Sequence, residues 1–405
     1  MKYNYIKEFL KSIPKTDLHV HLDGSLRVGT LIELAKEQGI DLPSYSEDGL
    51  NEMVFKMHYN SLDEYLQGFA YTCAVMQTPE ALERIAYEFA WDNWNEGVRY
   101  VECRFAPQLH INKNQSLLDV LSSIDKGFRR AKNEINQNVP ANEPKFDYGL
   151  IVCAMRFFTA ESSFYYNKLC RVHSYASPKQ LVSIASVELA RAAVWIRQNT
   201  DIRLVGFDVA GSEYGHPAEH HEKAYKIIHD NFIHKTIHAG EAYGCESIFQ
   251  AITSLHAERI GHGLFLFDED MIFSNKIKDK QAYIRQLVDY IANRRITIEV
   301  CLTSNLQTTP RIGDIRSHSL GKMLEQKLSL SFCTDNRLVS HTTVTDEYQL
   351  AVDNFDIPLK QLRDIVMYGF KRSFALQTYP EKRAYVRCAM NLFDAFVEKY
   401  GLNNS

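Results

Sequence analysis

Short apolar segments recur along the chain, most of them separated by amphipathic segments, and this pattern constrains the fold more than any other feature. Each apolar segment has the length of a buried strand, and the segments between them carry apolar residues at helical spacing. Strands and helices that alternate in this way form a parallel sheet covered by helices. The eight candidate strands are Asp17–Leu22, Val98–Phe105, Phe146–Met155, Arg203–Gly211, His234–Ala239, Arg259–Gly263, Ile296–Leu302 and Leu328–Cys333.

Eight strands favour an α/β fold of the (β/α)8 TIM-barrel type with extra helices over an open, doubly wound sheet. An open sheet of that kind more often carries a glycine-rich phosphate loop, and neither G-x-G-x-x-G nor G-x-x-x-x-G-K-[ST] occurs here. Residues 1–405 are expected to form one barrel domain, because no linker or low-complexity tract divides them. Two longer stretches, 156–203 and 264–295, are interpreted as insertions within that domain.

Composition narrows the class of protein further. Hydrophobic residues make up 45% of the chain and charged residues 24%, which is ordinary for a globular protein. A formal net charge of -4 gives no electrostatic footprint for nucleic acid or an anionic membrane, so neither is expected as a partner. The eight cysteines are scattered, Met1–Pro14 lacks the apolar core of a signal peptide, and no apolar run is long enough to cross a bilayer. We therefore expect a cytoplasmic protein.

Polar residues of unusual type stand at the carboxyl ends of four predicted strands. They are His19 and His21 on the first, His238 and Glu241 on the fifth, His262 on the sixth and Asp335 on the eighth. Taken singly, such a histidine is more often structural, and such an aspartate more often caps a turn or helix. Because the carboxyl ends of all barrel strands open on one mouth, however, these side chains are expected to converge there.

The chemistry that such a group supports is metal-assisted addition of water. His19 and His21 are two residues apart on a strand and so point to the same side. Imidazoles together with a carboxylate suit zinc, which lowers the pKa of a bound water from about 15.7 to about 7. Glu241, three residues after His238, could move a proton, and His262 could orient or deprotonate the water. A hydrolase is predicted, without its substrate.

Six motifs in order along the chain resemble the signatures of the adenosine deaminase family. They are Thr16–Leu26, Val209–Glu213, His238–Glu241, Arg259–Gly263, Cys301–Asn305 and Thr334–Asn336. The similarity runs from about Ile13 through Thr342–Tyr348 into the C-terminal segments. The last motif departs from the usual pair of aspartates, since Asn336 replaces the second, and it is similar to a variant found in some bacterial members. The resemblance implies hydrolytic deamination of adenosine, and by extension 2′-deoxyadenosine, to the inosine product and ammonia.

The resemblance also implies the roles of the metal and catalytic residues. One zinc ion per chain would be bound by His19, His21, His238 and Asp335. Glu241 matches the glutamate that protonates purine N1 while zinc-bound hydroxide attacks C6. His262 matches the histidine that positions this hydroxide.

Substrate contacts are implied in the same way. Gly211 matches a backbone amide near purine N3, Asn336 the residue that bonds N7, and Asp23 the residue that bonds the ribose 5′-hydroxyl. An apolar lid over the sugar side is implied for Leu62, Tyr65, Leu66 and Phe69. A helix that simply packs on the barrel wall is equally compatible with their spacing.

Two other functions stay open at this point. One is deamination of another aminopurine or a modified adenosine on the same zinc site, although relatives that act on free adenine tend to carry Glu where this chain has Asp23. The other is a non-catalytic binding protein on the same barrel, against which the presence of both Glu241 and His262 argues. The sequence leaves the oligomeric state undetermined.

Overall fold

The eight predicted strands form a parallel β-barrel. The computed structural model describes residues 5–402, apart from the side chains of residues 62 and 63. The strands are β1 Lys15–His21, β2 Val98–Phe105, β3 Asp147–Met155, β4 Leu204–Ala210, β5 His234–Ala239, β6 Arg259–His262, β7 Thr297–Val300 and β8 Ser329–Phe332. They pair in chain order, and a bridge between Val20 and Asp335 joins the end of β8 to β1. The predicted (β/α)8 fold is confirmed.

Helices cover the outside of the barrel and connect its strands. They are α1 Lys7–Ser12, α2 Val28–Gln38, α3 Glu47–Met53, α4 Leu62–Leu66, α5 Gly68–Val75, α6 Pro79–Trp94, α7 Leu117–Asn136, α8 Phe164–Val172, α9 Pro178–Asn199, α10 Glu222–Asp230, α11 Cys245–Thr253, α12 Lys280–Arg294, α13 Leu302–Thr308, α14 Leu320–Glu325, α15 Val344–Asn354, α16 Leu359–Arg372 and α17 Tyr379–Lys399. None of the helices among the described residues is long and apolar enough to span a lipid bilayer.

Local chemistry sets the start of α6. The Thr78 hydroxyl accepts a hydrogen bond from the backbone N–H of Ala81 at 3.2 Å, and Pro79 occupies the first helical position, where a missing N–H has no cost. Ile85 and Phe89 bury the inner face of the helix against the barrel. The helix therefore delivers the chain to β2 with its apolar face inward.

Charged side chains occupy the barrel interior below the mouth. Arg104 on β2 pairs with Asp208 on β4 at 2.7 Å and with Glu299 on β7 at 2.9 Å, and all three side chains are fully buried. Arg259 on β6 pairs with Glu299 at 2.6 Å and with Glu102 on β2. A buried charge that loses its partner destabilises a protein by about 3–5 kcal/mol. Because these ion pairs share Glu299, removing one member would leave other buried charges without that partner. The ion pairs fix the side chains that support the mouth.

The two predicted insertions differ in what they add. The stretch 156–203 contains α8 and α9, and α8 packs through Tyr166 on Phe158, Val182 and Ala185 in a small apolar cluster of its own. In the stretch 264–295, α12 connects β6 to β7 like the other outer helices, so the added part is confined to 264–279. The assignment of all 405 residues to one domain stays a prediction.

Candidate active site

Four predicted metal ligands converge at the mouth of the barrel. His19 and His21 come from β1, His238 from β5, and Asp335 lies three residues after the end of β8. The Nε2 atoms of His21 and His238 are 3.2 Å apart, and the Oδ1 atom of Asp335 lies 3.4 Å from His21 Nε2 and 3.5 Å from His19 Nε2. All four residues are buried, with at most 8% of their surface exposed.

Buried carboxylates fix which ring nitrogen faces the mouth. His19 donates from Nδ1 to Glu299 at 2.8 Å, and His238 faces Asp208 through Nδ1 at 3.0 Å. A proton held on Nδ1 leaves Nε2 with a free lone pair, which is the form that binds a metal. Arg104 holds both carboxylates in place through the ion pairs described above. The buried charges therefore orient two of the ligands.

The donor set fits a divalent metal ion. His19 Nε2 is buried without a hydrogen-bond partner among the described residues. A buried nitrogen without a partner costs free energy, so this atom fits the role of a metal ligand. Burial lowers the pKa of His21 well below its ordinary value, so this ring is a neutral donor. Burial alone would raise the pKa of Asp335, but His19 and the other nearby histidines hold this pKa well below its usual range. Neutral imidazoles and one carboxylate form a set that zinc prefers.

His262 is brought to the same mouth, but its hydrogen bonds give it a different ring proton. The Leu320 N–H donates to His318 Nδ1 at 3.0 Å, so the His318 proton lies on Nε2, which donates to Asn305 Oδ1 at 3.2 Å. The Asn305 amide nitrogen then donates to His262 Nδ1 at 3.0 Å. His262 therefore carries its proton on Nε2, which lies 3.9 Å from the Glu241 carboxylate.

The loop that carries Glu241 is held by a second carboxylate, Glu213. Glu213 is 1% exposed and accepts hydrogen bonds from four successive backbone N–H groups, those of residues 240–243, at 2.7–3.2 Å. The Ser247 hydroxyl donates to the same carboxylate at 2.5 Å. A carboxylate bound in this way fixes the backbone around it. Glu241 itself is half-buried and lines the cavity at the mouth.

A cavity of 210 Å³ lies at the mouth and is lined by residues from both ends of the chain. The predicted substrate residues that line it are Asp23, Gly211, Asn336, Tyr65, Leu66 and Phe69. Leu62 belongs to the same prediction, but its side chain lies outside the described residues. The resemblance implied a single lid helix, but the structure has two short helices here, α4 and α5, which are separated at Gln67.

Asp23 lies at one end of the cavity, next to the metal ligands. The side chain is 5% exposed, and its Oδ1 atom has no hydrogen-bond partner among the described residues. Burial raises the pKa of Asp23 to about 7. A carboxyl group in this state exchanges a proton near neutral pH and can accept or donate a hydrogen bond.

Asn336 lines the cavity next to Gly24, the residue that follows Asp23. Its amide nitrogen donates to the Tyr65 hydroxyl at 2.7 Å, and that hydroxyl is 2.7 Å from Ser340 Oγ. A Cβ atom on Gly24 would lie 2.0 Å from Asn336 Oδ1, so only glycine fits beside this side chain. Tyr65 thus contacts the residue predicted to bond the purine, although the resemblance assigned it to the sugar side.

Backbone conformation marks two of the site residues. His262 and Asp335 adopt φ of 66° and 60°, in the left-handed region that side chains other than glycine avoid. Such residues cost about 1–3 kcal/mol each and persist where the surrounding structure holds them. Asp335 is held by hydrogen bonds of β1, since its N–H donates to the His19 carbonyl at 2.8 Å.

Sequence reasoning gave no role to the residues that support the site, although Glu213 and Asn305 end two of the six motifs. The supporting residues are Arg104, Asp208, Glu213, Glu299, Asn305 and His318. A signal existed for Asp208 and Glu299, since each is the single charge inside an apolar run, and for Arg104, which alternates with Glu102 along a predicted strand. Such charges are buried only when they are paired, which predicts partners inside the barrel. His318 has no such signal, because it lies in a connection between α13 and α14.

Comparisons with known proteins agree with this geometry. A family model described as adenosine deaminase matches residues 14–386. Adenosine deaminase 1 of Streptomyces coelicolor is 33% identical over 367 residues, which cover 90% of this chain and 83% of that protein. A Dictyostelium discoideum protein named probable adenosine deaminase is 32% identical over 91% of this chain, which spans 41% of its length. The crystal structure of the Arabidopsis N6-mAMP deaminase superposes with a TM-score of 0.71 at 25% identity, over 96% of this chain and 99% of that one.

The matched range includes every residue of the site described above. A buried group of histidines with an aspartate that could hold a metal lies at the barrel mouth, beside a glutamate able to move a proton. The fold, the matched range and the site residues all indicate the same family. This chain belongs to the adenosine deaminase family of metal-dependent hydrolytic deaminases.

Proposed function

We propose that this chain hydrolyses adenosine and 2′-deoxyadenosine at purine C6, releasing ammonia, with one zinc ion per chain. The convergence of three Nε2 atoms and one carboxylate beside Glu241 carries the proposal. The 33% identity to an adenosine deaminase supports the same substrate. The cytoplasmic location stays a prediction, supported by eight cysteines that are all free thiols.

Zinc would be held by His19, His21, His238 and Asp335. When bound, it supplies a water acidified enough to add to a purine carbon at neutral pH. The chain itself contributes the orientation of these ligands through Glu299 and Asp208. The Ser304 hydroxyl, which donates to the outer oxygen of Asp335 at 2.5 Å, turns the other oxygen toward the histidines.

His262 and Glu241 divide the proton chemistry. Because the ring proton of His262 lies on Nε2, this histidine donates a hydrogen bond to the oxygen that attacks C6 and orients it. This hydrogen-bond pattern favours orientation over deprotonation, the two roles left open by the sequence. Glu241 donates a proton to N1 as the oxygen adds, and the amino group takes up the proton that this oxygen still carries and leaves as ammonia. One water is consumed for each ammonia released.

Recognition of the substrate is assigned to the floor and end of the cavity. The Asn336 amide has a second N–H besides the one given to Tyr65, and this group is free to donate to purine N7. The Gly211 backbone, with φ of 96°, lines the cavity without a side chain that would crowd N3. Asp23 would bond the ribose 5′-hydroxyl.

Charge at the ribose end favours a nucleoside over a nucleotide. No lysine or arginine is found among the described residues that line the cavity. A 5′-phosphate would therefore meet the Asp23 carboxyl with no cation to neutralise it, which is unfavourable in a buried site. The structural similarity to an N6-mAMP deaminase keeps that nucleotide as the second candidate substrate.

A direct assay separates these substrates. Purified protein of measured zinc content is incubated with adenosine, 2′-deoxyadenosine, adenine, AMP and N6-methyl-AMP, and ammonia release and the purine absorbance change are followed. Turnover of the two nucleosides is expected to exceed that of the others by about 100-fold or more. No turnover of either nucleoside by zinc-loaded protein would disprove the proposal, and preference for N6-methyl-AMP would establish the second candidate.

A variant tests the assignment of the proton donor. Glu241→Gln should lower turnover by at least about 100-fold, because an amide cannot deliver the proton. Zinc content should remain near one per chain, since Glu241 is not among the proposed ligands. Loss of zinc in this variant would show that Glu241 is a ligand instead.

A further inference from the structure

A second group of metal-ligand side chains lies beside the Asp23 end of the cavity, apart from the four proposed zinc ligands. Asp23 follows β1, Cys73 lies in α5, and His110 directly follows the 3-10 turn Pro107–Leu109. Each offers one ligand atom, and the three atoms lie within 4.8 Å of one another. They come from three separate elements, so their proximity is a product of the tertiary fold.

His110 is buried with both ring nitrogens lacking a hydrogen-bond partner among the residues that the structure describes. Its surface exposure is 0%, and neither ring nitrogen makes a hydrogen bond. Burial lowers the pKa of His110 to about 4, although the Met76 backbone acts in the opposite direction. The ring is therefore a neutral imidazole, and Asp23 Oδ1 is likewise buried without a partner. Buried polar atoms of this kind are rare, since a buried group without a hydrogen-bond partner destabilises the fold.

Hydrogen bonds to the backbone hold the segments that carry Cys73 and His110 together. The Gln77 amide donates to the Cys73 carbonyl at 2.8 Å and to the Leu109 carbonyl at 3.3 Å. The Gln115 amide donates to the His110 carbonyl at 2.8 Å. Cys73 stands one helical turn after Phe69, which lines the cavity, so both side chains lie on the same face of α5. Cys73 and His110 are thus positioned by contacts that are independent of the proposed zinc site.

We propose that Asp23, Cys73 and His110 form a second binding site for a borderline-soft divalent cation such as Zn²⁺. Thiolate, imidazole and carboxylate are the ligands zinc prefers, and three of them leave a position for water. Zinc–ligand bonds of 2.0–2.3 Å place ligand atoms about 3.3–3.8 Å apart in a tetrahedron, so the side chains must close by about 1 Å. The thiol of Cys73 gives its proton to solvent when it binds.

The same site would control access of the substrate, an inference that rests on the proposed function. Asp23 is the residue proposed to bond the ribose 5′-hydroxyl, and a carboxyl engaged by a cation is no longer free for that contact. The second cation and the nucleoside therefore compete. Excess zinc should raise the apparent KM for adenosine and leave kcat unchanged.

Metal analysis tests the site without reference to activity. Protein holding one zinc is equilibrated with ZnCl2, and a second equivalent is expected to bind. Cys73→Ser and His110→Asn should each weaken this second equivalent by about 10-fold or more, as loss of a ligand does, and leave the first in place. Cys170→Ser, which removes another half-buried thiol on α8, is the matched control and should bind two equivalents. No second equivalent, or one unaffected by Cys73→Ser, would overturn the proposal.

Cobalt gives a reading specific to the thiolate. Adding Co²⁺ to protein whose first site is filled should produce a thiolate-to-cobalt charge-transfer band that persists in Cys170→Ser and disappears in Cys73→Ser. If no nucleoside is turned over, the stoichiometry and this band still report on the site, so failure of the proposed function is distinguishable. If a second zinc binds but the KM for adenosine stays constant, the competition is wrong.

Discussion

At the scale of single residues, the site depends on side chains that hold other side chains. Glu213 binds the backbone of residues 240–243, while Asn305 and His318 fix the ring proton of His262. These contacts set where Glu241 and His262 point. A hydrogen-bonding group misplaced by about 1 Å can cost about 100-fold in rate, so such positioning residues are expected to matter.

The first prediction concerns Glu213. Glu213→Gln replaces one acceptor oxygen with an amide that repels the N–H groups it faces, so the loop of Glu241 should loosen. We expect kcat to fall by about 10- to 100-fold while zinc content and the unfolding transition stay close to those of the unmodified protein. Glu219→Gln, at an exposed position nearby, is the control. If Glu213→Gln kept full turnover, Glu213 would have no positioning role.

The second prediction concerns Asn336, whose amide donates to Tyr65 and is proposed to donate to N7. In Asn336→Asp the carboxyl can donate only when protonated. Activity of the variant should therefore fall as the pH rises through the pKa of the new carboxyl, a loss that the amide does not show. The check is kcat/KM for adenosine against pH for both proteins, and superimposable profiles would contradict the contact.

At the scale of elements, close approach of β1 and β6 shapes the proposed zinc site. Gly261 on β6 faces the His19 ring, and a Cβ atom there would lie 2.8 Å from His19 Cε1 and 3.3 Å from the His238 Cα. Real Cβ atoms do not approach other atoms this closely, so a side chain at this position must displace a ligand. Gly261 therefore allows β1 and β5 to bring His19 and His238 together.

A third prediction follows for this contact. Gly261→Ala should shift His19 from its position and lower zinc affinity by about 10-fold or more, with loss of turnover that added zinc partly restores. Gly321→Ala on α14 is the matched control, because a Cβ there meets nothing closer than 3.6 Å. Metal analysis after dialysis measures the difference. Full zinc retention by Gly261→Ala would mean that the ring can move without loss of binding.

At the scale of the whole molecule, buried neutral histidines make stability depend on pH. His318 is 3% exposed, and burial lowers its pKa to about 4, whereas an unfolded chain has the ordinary value of about 6.5. Between these two values the unfolded state binds the additional proton, so the free energy of unfolding rises with pH in this window. Stability is therefore retained above pH of about 6.5 and falls as the pH drops from about 6.5 to about 4.

The fourth prediction measures this contribution. For a shift of this size His318 should account for about 3 kcal/mol of the loss between pH 6.5 and 4. His318→Asn, which cannot titrate, should be less stable at pH 7 but should lose less stability on acidification. Urea unfolding at several pH values compares the two proteins. Parallel pH dependences would show that His318 is protonated at no cost in the folded state.

Much of the architecture is local and could be read from the chain. Strand alternation puts His19 and His21 on one side of β1, and the Thr78 cap with Pro79 starts α6, because both effects depend only on neighbouring residues. The break of the lid at Gln67 was not predicted, since a helical spacing of apolar residues is compatible with one helix or two.

The sequence by itself determined the number of strands and which of them end in histidine, glutamate or aspartate. In a parallel barrel this is enough to bring those residues to one mouth, since all carboxyl ends of the strands open there. Only the tertiary structure decided what holds them and what lies beside them. Three sets of contacts join separate elements. Glu213 binds the backbone of the Glu241 loop, hydrogen bonds connect His318 to His262 through Asn305, and Asp23, Cys73 and His110 lie close together. Contacts of this kind depend on how connections pack, and no local period or cap encodes them.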